Sequence, residues 1–134
     1  MEQTSAGGVD EVTFTLLDLP GLRDLTADRA RRAGLRGEAV ANLVIAVNEV
    51  ATNAVLHGSD AALLRAWPDG GGLVVQIRDE GRWAGAVFGA ERPPAEATSG
   101  MGLWVARLLA DTVEFDTGAE GSTVTLRFTR TGAA

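Results

Sequence analysis

The chain has 134 residues, enough for one domain with a real hydrophobic core and too few for two, so neither disulfides nor a structural metal are needed to hold it. Its 18 acidic residues face 12 basic ones, all arginine, and the formal net charge of −6 argues against a phosphate backbone as the main partner, so no nucleic-acid partner is expected. Cysteine is absent and histidine occurs once, which removes disulfides, thiol catalysis, thiolate metal sites and His-rich metal sites together.

In chain order, residues 1–8 (MEQTSAGG) carry neither a basic start nor an apolar stretch and are expected to be a disordered leader of a single domain spanning 1–134. Val12, Phe14 and Leu16 alternate with Glu11, Thr13 and Thr15, the period of a half-buried strand. Leu22, Leu25, Arg29 and Ala33 recur at helical spacing between Pro20 and Gly34, which predicts a first helix. A second helix is predicted from about Gly37 to Leu56, with Val40, Leu43, Val44, Val47, Val50, Ala51, Ala54 and Val55 as its apolar stripe and Gly58 placed to cap it. AALLRAW and GLVVQIRDE flank the turn-rich PDGG and read as an antiparallel hairpin.

From Gly81 to Gly100 the periodicity dissolves into one long loop, after which GMGLWVARLLAD reads as a helix and TVEFDT and STVTLRF as two strands. The order β-α-α-β-β-loop-α-β-β predicts an α+β, two-layer sandwich: a mixed, mostly antiparallel sheet with helices on one face. No apolar run approaches about 18 residues, so neither export nor a membrane span is expected, and the chain is read as cytoplasmic with no membrane partner.

Three stretches carry chemistry. In AVNEVATNAVLHG, Glu49, Asn53 and His57 are spaced by four and fall on one helix face. A carboxylate there can take a proton from an attacking hydroxyl, and an amide oxygen can ligate a hard cation such as Mg²⁺. His57, in the last helical turn, is accounted for by the helix dipole alone. In RDEG, a strand ends in Asp79, which can accept a hydrogen bond from an exocyclic amine, followed by a glycine at position 81. In SGMGLW, Gly100 and Gly102 open a helix, where bare N–H groups and the helix dipole favour an anion.

Taken together and in order, NEVATNAVLHG, RDEG and SGMGLW resemble the N-box and the two glycine boxes of the GHKL (Bergerat) ATP-binding fold. The short form with a closing GSTVTLRF is similar to the anti-sigma-factor serine/threonine-protein kinases of the RsbW and SpoIIAB type, as found in actinobacteria. The resemblance implies ATP and Mg²⁺ as ligands. Asn53 would hold the Mg²⁺ that bridges the phosphates, Glu49 would be the catalytic base, and Asp79 would hold the adenine amino group beside Gly81. Gly100, Met101, Gly102 and Leu103 would line the phosphates, Thr123 would support the adenine through water, and Arg92, in a lid from Arg82 to Ser99, would contact phosphate. It implies as partners a sigma factor, a STAS-domain anti-anti-sigma factor and possible self-association as a homodimer. One departure is plain: DEGRW places Trp83 where the family has a second glycine. The alternative function left by the resemblance is an ATP-binding anti-sigma or partner-switching module with weak or no kinase activity.

Overall fold

Two-residue alternation of apolar side chains builds the sheet. In the computed structural model, which describes residues 1–58, 60–80, 101–118 and 120–129, the strands are β1 (Glu2–Ala6), β2 (Val9–Phe14), β3 (Ala62–Asp69), β4 (Gly72–Asp79), β5 (Thr112–Gly118) and β6 (Gly121–Thr129). They lie in the order β1-β2-β3-β4-β6-β5, and every neighbouring pair is antiparallel, so the sheet has no parallel member among the described residues. Register brings Val12 opposite Leu64, Leu64 opposite Ile77 and Ile77 opposite Val124, all buried, so one face of the sheet is the floor of the core.

The roof is α1 (Leu19–Arg32), α2 (Glu38–Asn53) and α3 (Met101–Leu109), with α2 packed against both of the others. Its stripe of Val40, Leu43, Ala46, Val47, Val50 and Ala51 is buried. Glu38–Leu56 is, by length and composition, apolar enough to cross a membrane, which corrects the expectation that no such run exists; here it is the central core helix. The helix does not end as an α-helix, because Ala54–Gly58 widens into a π turn that packs against β4.

Residues 2–6 form β1 and are not a disordered leader. Gly7 and Gly8, at φ of 60° and 83°, make a two-residue turn that pairs Ala6 with Val9, a backbone shape that glycine adopts without steric cost. All five residues of β1 are exposed, so this edge strand carries none of the apolar alternation that marks the others. Leu16 also departs from expectation: the β2–β3 ladder stops at Phe14 and Leu16 enters a 3-10 turn, Leu16–Asp18. Asp10 ties this hairpin to α1, accepting hydrogen bonds from Ser5 Oγ and Arg29 Nε. Partial burial pushes the Asp10 carboxyl up, but those two hydrogen bonds and the charges of Arg29 and Arg32 outweigh it and hold the group below its ordinary value.

Candidate functional site

The two flanks of α2 carry different polar residues. On one flank Asn48 accepts a hydrogen bond from Arg23 Nη1 of α1 at 3.1 Å, and its carbonyl takes the Thr52 hydroxyl at 2.7 Å. On the other, Asn42 lines a hollow with Leu109 at the end of α3 and Phe128 of β6. Glu49 lies seven residues beyond Asn42, and Asn53 four beyond Glu49, so helical phase puts both on this α3-facing flank, where each is half-buried. The backbone of His57 lies in the π turn, beyond the end of α2.

The π turn that follows α2 packs against β4, whose last residue is Asp79. Asp79 continues the core-facing series Leu73, Val75, Ile77 and is only 3% exposed. Directly across the ladder stands Ser122, 1% exposed, whose Oγ is 2.9 Å from Thr117 Oγ1 on β5. A row of oxygen-bearing side chains, Asp79, Ser122 and Thr117, therefore crosses β4, β6 and β5 at one end of the sheet. Gly121 makes this closeness possible: its φ is +127°, and a Cβ there would lie 2.2 Å from the Asp79 carbonyl oxygen.

Thr123 does not join this row. It pairs with Arg78 and lines a polar hollow on the opposite face of the sheet with Gln76 and Thr125, whereas Ser122 occupies the face Asp79 is on. Strand parity is the reason, since one step along β6 changes faces, and Val124, Leu126 and Phe128 put the even positions in the core. Met101, Gly102 and Leu103 form the first turn of α3. Gly81, Arg92 and Gly100, with Trp83 and the rest of 81–100, lie outside the described residues.

A model of the family described as "Histidine kinase-like ATPase domain" matches residues 12–128, from the first core strand to the last. The chain belongs to the histidine kinase-like ATPase family. Two solved structures are similar to this histidine kinase-like ATPase domain in fold. One is the structure of the RsbU and RsbW domains of Rv1364c from Mycobacterium tuberculosis, at 22% identity and TM-score 0.65, covering 89% of this chain and 32% of that one. The other is the histidine kinase domain of the blue-light activated histidine kinase EL346 from Erythrobacter litoralis, at 19% identity and TM-score 0.58, covering 96% of this chain and 71% of that one. The chain thus spans about a third of the length of the Mycobacterium chain. No curated protein matches.

Proposed function

We propose that the chain is a cytoplasmic anti-sigma factor that binds Mg-ATP and phosphorylates a serine or threonine of a STAS-type anti-anti-sigma partner, releasing or sequestering a sigma factor accordingly. The observation that carries this reading is the buried Asp79, set beside Ser122 at the end of β4, the strand against which the π turn after Glu49 and Asn53 packs. A carboxylate held out of water is suited to an exocyclic amine, and the Ser122 hydroxyl beside it can share a bridging water.

The residues present fit Mg²⁺ only together with phosphate. Among the described residues no three His, Cys, Asp or Glu side chains converge, and Mg²⁺ commonly takes one or two protein oxygens, with phosphates and water completing its octahedron. Asn53 would supply such an oxygen, and the bound ion would neutralise phosphate charge. In the transfer, the partner's hydroxyl oxygen forms a bond to the terminal phosphorus as the bond to the bridging oxygen breaks, leaving ADP. Glu49 receives the hydroxyl proton. Positioning by Asp79 and Asn53 supplies most of the rest.

Incubation with labelled ATP and STAS proteins encoded nearby tests the reading. Label should pass to the partner's serine or threonine. Glu49→Ala should slow this by roughly 10²–10⁴-fold while leaving nucleotide affinity within about threefold, since a general base acts in the transition state more than in ground-state binding. Nucleotide binding without any transfer by the wild type would leave the partner-switching module as the function, and wild-type transfer by Glu49→Ala would remove Glu49 as the base.

A further inference from the structure

A groove runs between the C-terminal turns of α1 and the N-terminal turns of α2, on the side of α2 away from Glu49 and Asn53. Leu35 and Val40 form its floor, Val44 and Ile45 its α2 wall, and Arg31 and Arg36 stand at its edge. Ile45 is 47% exposed although it sits on the helix that carries the core. Four of the twelve arginines fall between residues 29 and 36, in a chain of net charge −6. Arg29 is engaged by Asp10 and Asp28, and Arg32 by Asp28. Among the described residues neither Arg31 nor Arg36 has a carboxylate partner, and both are exposed. Glu38, the first carboxylate of α2, lines the hollow on the α3 side with Asn42.

We propose that this groove docks an amphipathic helix of a partner protein, with an apolar stripe flanked by aspartate or glutamate. A channel between two helices with an aliphatic floor suits side chains at i, i+3 or i+4 and i+7 of a third helix. The two free guanidiniums at the edge select carboxylates there, by bidentate pairing. A nucleic acid would use the arginines but leave the exposed Ile45 in water. The inference stands on α1 and α2 alone and does not depend on nucleotide binding.

The test uses a fluorescein-labelled helical peptide of about five turns, with leucine along one stripe and glutamate beside it, and a matched peptide with lysine for glutamate. In polarisation titrations of the full chain, the glutamate peptide should bind with a Kd on the order of 10 μM and the lysine peptide at least about tenfold more weakly. Arg31→Glu with Arg36→Glu should reverse that preference. Ile45→Asp should weaken the glutamate peptide about tenfold while lowering the melting temperature by only about 5 °C, because half of the side chain is in water already. Peptide-induced amide shifts should centre on Ala41, Val44 and Ile45. Equal binding of both peptides, amide shifts centred on the open sheet face, or tighter binding of a DNA duplex than of the glutamate peptide would each overturn the proposal. So would concentration-dependent dimerisation abolished by Ile45→Asp, which would make a second copy of this chain the occupant.

Discussion

Gly121 sits where a side chain has no room. With φ at +127° and the Asp79 carbonyl 2.2 Å from where its Cβ would stand, alanine there would have to push the start of β6 away from the end of β4. That displacement would part Ser122 from Asp79. Gly121→Ala is therefore expected to cost about 2 kcal/mol or more, a fall of roughly 6–10 °C in Tm. Gly118→Ala, with nothing within 4 Å of its Cβ position, should cost far less, and thermal melts of the two variants check the contrast. Asp79 was legible in the sequence only through the ordered set of motifs, because an acid pair at a strand end with a glycine two residues on would by itself read as a turn. Ser122 was not selected, although the signal was present: Val124, Leu126 and Phe128 set the parity of β6, and counting back by twos reaches Ser122 and passes over Thr123. A motif identifies residue types, whereas the pleat decides which of two adjacent hydroxyls faces the core.

Elements were readable in proportion to the apolar surface they bury. α2 is visible because its stripe is buried on a 3.6-residue period, and the β3–β4 hairpin because two apolar runs flank Gly70 and Gly71. β1 buries nothing, and its one sign was the Gly7–Gly8 pair. It is held instead by backbone pairing with β2 and by Asp10, which accepts from Ser5 on β1 and Arg29 on α1. Because the folded carboxyl of Asp10 lies below its ordinary value of 3.8, its contribution is present in full above that value and is lost as pH falls through the folded value. Asp10→Asn should thus lower stability by about 1 kcal/mol at neutral pH, the scale of a solvent-screened pair reinforced by hydrogen bonds. The difference from wild type should shrink below about pH 4 and vanish as the wild-type carboxyl protonates. Urea midpoints measured from pH 7 down to pH 3 check this, and a difference independent of pH would assign the loss to packing.

At the scale of the molecule, the decisive step is that β6 returns between β4 and β5 and does not extend the sheet outward. The chain leaves β4 at Asp79 and re-enters the sheet through α3 and β5, so the last strand brings Ser122 back against the point of departure. α2 reaches β4 through its π turn, so the helix that bears Glu49 and Asn53 and the strand that ends in Asp79 are packed neighbours. The helices and strands that carry Glu49, Asn53 and Asp79 were legible in advance from their apolar periods, while the sequence of 81–100 has no periodicity to read. If the junction holds Mg-ATP, the ligand stabilises only the folded chain, by about 2.7 kcal/mol at a hundredfold excess over Kd. For a domain of this size that is a rise of roughly 10 °C in Tm. Asp79→Asn keeps the shape but leaves one acceptor oxygen where the carboxyl has two, so either the amine or the other partner of Asp79 would meet an NH₂. A tenfold loss of affinity would remove about 1.4 kcal/mol, halving the ligand-induced rise. A melt of each protein with and without millimolar Mg-ATP reads both numbers. No rise in the wild type would overturn nucleotide binding, and an equal rise in Asp79→Asn would leave the nucleotide bound but take the base away from the end of β4.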